Sequence, residues 1–151
     1  MNTALMFSSK SNEWSTPNDL FDKLNNEFDF QIDLAATAQN TKCTSFYSWM
    51  TDSLNIEWHM AAQRGWLNPP YSRGLCAKFI AKAAEERRKG FLTVMLLPAR
   101  TDTKAFHAHI YDASKWQARE GVEICFLPGR LKFGGSTNAA PFPSMVVVFW
   151  P

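Results

Sequence analysis

The 151-residue chain is long enough for one domain with a sizeable core and leaves no room for a second. Hydrophobic residues make up 46% of the chain and aromatic residues 14%, which indicates a globular protein and excludes a disordered one. The formal charge of +2 permits a nucleic-acid partner but does not indicate one. We expect residues 1–151 to form a single domain with a flexible N-terminus over residues 1–12.

The cysteines and histidines show no spacing typical of a disulfide framework or a metal site. Cys43, Cys76 and Cys125 are widely separated and form no C-x-x-C pair, which favours reduced thiols. His107 and His109 are two residues apart, so on a helix they point to different faces. No apolar run approaches membrane length, and the N-terminus lacks the layout of a signal peptide. We expect a cytoplasmic protein without a metal site or membrane contact.

The first half of the chain predicts one helix and three strands. Thr16 and Pro17 have the form of an N-cap and a proline at the first helical position, and apolar residues recur at helical spacing through residue 28. Apolar and polar residues then alternate, which predicts a strand that ends at residues 33–36. Residues 44–49 indicate a second short strand, and residues 65–67 indicate a third, buried one.

The second half predicts two helices and three more strands. A helix should begin near residue 75 and end in a cationic last turn before Gly90, and a second should span residues 103–111. Strands are predicted at residues 91–97, 122–127 and 144–150. This order indicates an α/β fold with a mostly parallel sheet and helices on both faces. No helix separates the last two strands, so we expect them to pair antiparallel at one edge.

The most informative motif is Asn68-Pro69-Pro70-Tyr71, which follows the third strand. Ligands of open α/β sheets bind at the carboxyl ends of strands, and two prolines make the backbone there rigid. The Asn68 side-chain oxygen and the Pro69 carbonyl can each accept one N–H of a planar amine, while Tyr71 can stack on its ring. This chemistry resembles the catalytic motif of amino-methyltransferases. A proline turn that only ends a strand is the alternative interpretation.

Four sequence blocks, in this order, resemble the phage and prophage DNA N-6-adenine methyltransferase (Dam-like) family. They are Glu13–Pro17, residues 33–36 with 40–43, Trp66–Ser72, and Gly129–Gly134 leading into residues 140–144. Together they cover nearly the whole chain from residue 13. The resemblance implies a Rossmann-like S-adenosylmethionine-dependent methyltransferase fold with a C-terminal antiparallel edge hairpin. It also implies methylation of the N6 amine of adenine in double-stranded DNA.

The same resemblance implies a site for S-adenosylmethionine. Trp14, Thr16 and Pro17 match the block near the carboxylate end of the cofactor, although Thr16 could equally cap the first helix. Asp33 matches the acid that pairs with the cofactor's amino group.

The resemblance also implies roles at the cofactor site for Ala35 and Asp52. No glycine precedes Gly65, so Ala35 must let the backbone approach the cofactor closely. Asp52 matches the acid that faces the cofactor's adenine, or it could instead cap a turn.

The implied reaction requires that the target adenine leave the duplex and stack on Tyr71. Phe133 is the candidate for stacking on the opposite face of the adenine. Cations near the site should contact DNA phosphates, although they could equally belong to an ordinary surface with charges of both signs. These cations are Arg73, Arg100, Lys104, Arg130 and Lys132.

Other functions remain open from the sequence. The same four-residue motif occurs in enzymes that methylate a protein glutamine or an RNA guanine. A non-catalytic nucleic-acid-binding relative is a further alternative. A homodimer is a possible assembly, and if the protein is phage-encoded, the expected location is the cytoplasm of the bacterial host.

Overall fold

A computed structural model of the protein describes residues 14–48, 53–72 and 74–151. Six strands form the main sheet in the order β2-β1-β3-β4-β8-β7. They are β1 (Ile32–Ala36), β2 (Phe46–Ser48), β3 (Arg64–Leu67), β4 (Leu92–Pro98), β7 (Val122–Phe126) and β8 (Ser144–Phe149). β1 to β4 are parallel, and β8 runs antiparallel to both β4 and β7. The predicted α/β class, the mostly parallel sheet and the antiparallel edge are therefore confirmed.

The two α-helices of the described residues cover opposite faces of this sheet. α1 (Asn18–Phe28) contributes Phe21 to a core with Val94, whereas α2 (Leu75–Arg87) contributes Phe79 to a core with Met95. Successive side chains of a strand point to opposite faces, so β4 belongs to both cores. This explains why β4 is buried along its whole length and reads as a continuous apolar run.

The start of α1 differs from the prediction. The helix begins at Asn18, Pro17 occupies the N-cap position with a ψ of 135°, and no side chain caps the helix. The prediction that Thr16 caps the helix is therefore wrong. Its hydroxyl instead accepts a hydrogen bond from Asn68, 52 residues away, which a local sequence pattern cannot reveal.

The segment after β4 is only partly helical. Residues 104–110 are helical, with π-type turns over Phe106–Ile110, and the chain then forms a hairpin of β5 (Tyr111–Asp112) and β6 (Gln117–Ala118). The sequence did not predict this hairpin, because two-residue strands are too short to show an alternating pattern. No helix in the described part of the chain is long and apolar enough to span a membrane.

A buried charged cluster joins α2 to the turn before β3. The Glu86 carboxylate, which is fully buried, accepts hydrogen bonds from Lys82 Nζ at 2.9 Å, His59 Nδ1 at 2.9 Å and the Trp58 backbone N–H at 3.1 Å. Burial raises the pKa of Glu86, but the hydrogen bonds from Lys82 and His59 outweigh it and hold that pKa below its ordinary value. The cluster therefore stabilises the amino edge of the sheet, opposite Asn68.

Replacing Glu86 with alanine is expected to lower the free energy of unfolding by about 3–5 kcal/mol, because Lys82 is left buried without its partner. Glu85→Ala is the matched control: its carboxylate is exposed and pairs with Lys89, so we expect a cost of about 1 kcal/mol or less. Urea unfolding at pH 7 measures both. Because the pKa of Glu86 is lowered by folding, its contribution should disappear as the pH falls through that pKa. Equal effects of the two variants would contradict this role.

Candidate active site

A cleft lies at the carboxyl ends of β1 and β3. Asp33, near the start of β1, pairs with Trp66, so β1 and β3 lie side by side as they approach the cleft. Pro69 and Pro70 then lack the N–H groups needed to continue the sheet. Eight of the predicted site residues line the cleft: Trp14, Thr16, Asp33, Ala35, Asn68, Pro69, Pro70 and Tyr71. The structure therefore brings together residues that are far apart in the sequence: Trp14 and Tyr71 are separated by 57 positions.

The side chain of Asn68 is held in one orientation. Its Nδ2 donates to the Trp14 carbonyl at 2.7 Å and to Thr16 Oγ1 at 3.1 Å. A carbonyl oxygen only accepts, so the amide nitrogen must face Trp14. Asn68 Oδ1 is consequently turned the other way, where it is buried and has no hydrogen-bond partner among the described residues. A buried, unpaired acceptor is costly, and such a group at a cleft is suited to a donor that a ligand supplies.

Tyr71 is part of an aromatic cluster that closes one side of the cleft. Its ring is buried, and it packs edge-on against Phe142 at 5.7 Å and Phe133 at 6.2 Å between ring centroids. Its hydroxyl donates to the Leu96 carbonyl at 3.3 Å, and burial raises its pKa well above the ordinary value. The phenol therefore stays neutral, so Tyr71 offers a fixed ring and no acid-base group.

Asp33 places a carboxylate in the cleft. It is 3% exposed, and its two oxygens accept the backbone N–H groups of Lys42 at 3.0 Å and Ala35 at 3.3 Å. Burial raises the pKa of Asp33 to about 6, although these two hydrogen bonds act in the opposite direction. The side chain is thus oriented by the backbone and is only partly ionised near pH 6.

The loop after β1 also lines the cleft, and no role was predicted for its residues from the sequence. The backbone N–H of Thr37 donates to Asn40 Oδ1 at 2.7 Å, and the N–H of Asn40 lies 3.3 Å from Thr37 Oγ1. Thr37, Asn40 and Lys42 all line the cleft. The reciprocal Thr and Asn bonds form a rigid turn without glycine, and a Thr-x-x-Asn spacing after a strand is the signal that could have identified it.

Some predicted site residues lie away from the cleft. Pro17 does not line it, and Phe133 is 1% exposed and packs against Trp14 at 5.1 Å. A base can reach Phe133 only if this packing opens, so its stacking role stays a prediction. Asp52 and Arg73 lie outside the described residues.

Four predicted DNA-contacting cations are exposed at the same carboxyl edge. Arg100 follows β4, and its Nη1 donates to the Tyr71 carbonyl at 3.3 Å. Arg100 and Lys104 also line a mostly apolar cavity of about 220 Å³ beside the motif. Arg130 and Lys132 lie in the long connection between β7 and β8. Across residues 14–48, 53–72 and 74–151, no cluster of three or more His, Cys, Asp or Glu residues could hold a metal ion.

Comparison with known proteins gives the family. The chain is 37% identical over 94 residues to a DNA N-6-adenine-methyltransferase of Escherichia phage T1, a match that covers 62% of this chain but only 38% of the phage protein. It is 29% identical over 141 residues to a DNA N-6-adenine-methyltransferase of Haemophilus phage HP1 (strain HP1c1), which covers 91% of this chain and 78% of that protein. The family described as DNA N-6-adenine-methyltransferase (Dam) matches residues 4–151. The chain therefore belongs to the DNA N-6-adenine-methyltransferase (Dam) family.

Proposed function

We propose that this chain transfers a methyl group from S-adenosylmethionine to the N6 amine of adenine in DNA. The observation that carries the proposal is Asn68 Oδ1, a buried acceptor at the carboxyl edge of the sheet that has no partner in the part of the chain that the structure describes. The family and the two phage relatives support the same reaction. We further propose that the fold is the Rossmann-like fold of S-adenosylmethionine-dependent methyltransferases, which the five parallel strands and the one antiparallel strand beside the edge support.

The cleft residues fit the cofactor chemically. The buried carboxylate of Asp33 would pair with the cofactor's amino group, and Trp14 and Thr16 lie on the facing wall. Ala35, with only a methyl side chain, leaves the backbone of β1 accessible to the ligand. When bound, the cofactor supplies a methyl group already activated by a positively charged sulfur.

Asn68 and Pro69 would act on the target amine. The lone pair of an adenine amine is delocalised into the ring, which makes the nitrogen a poor nucleophile. Hydrogen bonds from its two N–H groups to Asn68 Oδ1 and the Pro69 carbonyl would favour tetrahedral geometry and stabilise the developing positive charge. Because Asn68 is already held by two hydrogen bonds, it need not reorganise during the reaction.

The target base must leave the duplex to reach this position. Tyr71 lines the cleft beside Asn68, and the aromatic cluster holds its ring rigidly, so we propose that adenine stacks on Tyr71. The exposed cations at the same edge, Arg100, Lys104, Arg130 and Lys132, would bind the DNA backbone around it.

A direct assay tests the proposal. The protein is incubated with S-adenosylmethionine labelled in the methyl group and with double-stranded DNA, RNA or a protein mixture. Label in N6-methyladenine from DNA is the expected result. Label only in RNA or protein would indicate another planar amine as substrate, and no label in any of the three would exclude a methyltransferase.

Binding to DNA is expected to weaken steeply with salt, because phosphate contacts release counterions. The double variant Arg130→Ala/Lys132→Ala should reduce the slope of log K against log salt by about 2, roughly one per lost contact. Fluorescence anisotropy with a labelled duplex measures this slope.

The matched control for this measurement is Arg88→Ala/Lys89→Ala, which removes the same charge at the end of α2, on the amino edge of the sheet. Its slope should equal that of the unaltered protein. An equal loss of slope in both double variants would mean that net charge, rather than a DNA-binding edge, controls the affinity.

A further inference from the structure

The hydroxyl of Thr16 contacts Asn68 rather than the helix that it precedes. Thr16 is 3% exposed, and its Oγ1 lies 3.1 Å from Asn68 Nδ2. Pro17 occupies the N-cap position of α1, and no side chain within residues 14–48, 53–72 and 74–151 caps this helix. The Thr16 hydroxyl is therefore bonded to the motif after β3 and not to α1.

The two hydrogens of Asn68 Nδ2 have separate acceptors. One is donated to the Trp14 carbonyl at 2.7 Å and the other to Thr16 Oγ1. Because both hydrogens are donated, a rotation or a flip of the side-chain amide would break both hydrogen bonds at once. Oδ1 is then fixed on the opposite side, where it has no partner within residues 14–48, 53–72 and 74–151.

The segment that carries these two acceptors is itself anchored. The Trp14 ring packs against Phe142 at 5.0 Å and Phe133 at 5.1 Å, and the backbone N–H of Gly134 donates to the Ser15 carbonyl at 2.8 Å. Residues 14–16 are thus attached to the connection between β7 and β8. Because residues 14–16 are anchored in this way, the Trp14 carbonyl and the Thr16 hydroxyl can hold the Asn68 amide in place.

We propose that Thr16 is a positioning residue, which holds Asn68 in the one orientation that presents Oδ1 to the target amine. This inference rests on the proposed function, because it assigns to Thr16 a part in the same transfer step. The Thr16 hydroxyl accepts from Asn68 and keeps its own hydrogen for another acceptor. Its main effect is on turnover, because a misplaced Oδ1 no longer meets the amine N–H in the reacting geometry.

The test uses one substitution that removes the acceptor oxygen and one that keeps it. Thr16→Val keeps the volume and removes the oxygen, whereas Thr16→Ser keeps the oxygen. Thr93→Val is the matched control, because Thr93 is fully buried on β4 and its hydroxyl has no hydrogen-bond partner among the residues that the structure describes. All variants are assayed at saturating cofactor and DNA, with the dissociation constant for S-adenosylmethionine measured separately.

We expect Thr16→Val to lower turnover by roughly 10- to 100-fold, with a smaller change in cofactor affinity, and Thr16→Ser to restore most of it. Thr93→Val should leave turnover unchanged. Normal turnover in Thr16→Val would overturn the proposal. So would a loss of cofactor affinity with normal turnover at saturation, because Thr16 would then serve the cofactor alone.

A second readout does not depend on activity. Exchange of the Asn68 side-chain amide hydrogens with solvent, followed by NMR and assigned with Asn68→Ala, should accelerate about fivefold in Thr16→Val, as expected for one lost hydrogen bond. Unchanged exchange would overturn the proposal. If the unaltered protein methylates no DNA but exchange accelerates as expected, the proposed function fails while the positioning role of Thr16 stands.

Discussion

Asn68→Ala is expected to reduce methyl transfer by at least about 10²–10³-fold, because it removes an acceptor aimed at charge that develops during the reaction. Binding of S-adenosylmethionine should change little, since Asn68 is assigned to the target amine. The substitution also leaves the Trp14 carbonyl and the Thr16 hydroxyl without their donor, which should cost about 1–3 kcal/mol of stability. Single-turnover transfer and thermal unfolding measure the two effects separately.

The control for this substitution is Asn26→Ala, an exposed position on α1. It removes an identical side chain and should leave both transfer and cofactor binding unchanged. Near-normal turnover in a folded Asn68→Ala protein would remove the basis of the mechanism.

The second large effect is expected at Asp33. Asp33→Ala should weaken S-adenosylmethionine binding markedly and DNA binding little, because DNA phosphates would be repelled by this carboxylate. The pKa of Asp33 in the free protein is about 6, raised by burial. A cofactor ammonium pairs with the ionised form, so the affinity of the unaltered protein should fall by about tenfold for each pH unit below 6 and level off above 7.

Calorimetry between pH 5 and pH 7 tests this dependence, and buffers of different ionisation enthalpy should report proton release on binding near pH 6. The dependence should vanish in Asp33→Ala. Asp29→Asn is the control, because Asp29 is exposed at the end of α1 and should retain the full pH dependence. A pH-independent affinity in the unaltered protein would show that Asp33 does not contact the cofactor's amino group.

Local sequence patterns predicted the strands of the main sheet and the location of the cleft. The apolar run over residues 91–97 predicted a strand covered on both faces, and the two prolines after Asn68 predicted that β3 ends where ligands bind. The absence of a helix between β7 and β8 predicted their antiparallel pairing. These features depend on the local periodicity of apolar residues and on the backbone restrictions of single residues such as proline. Both are visible in the sequence alone.

The contacts that hold the site join segments that are far apart in the chain. Thr16 and Asn68 are 52 positions apart, and no local pattern shows that the hydroxyl bonds to the amide instead of capping α1. The burial of Phe133 beside Trp14 likewise depends on where a long connection folds back, which has no periodicity of its own. The raised pKa of Asp33 results from desolvation by neighbours on several elements. Contacts between distant segments set these properties, so they become visible only when the chain is folded.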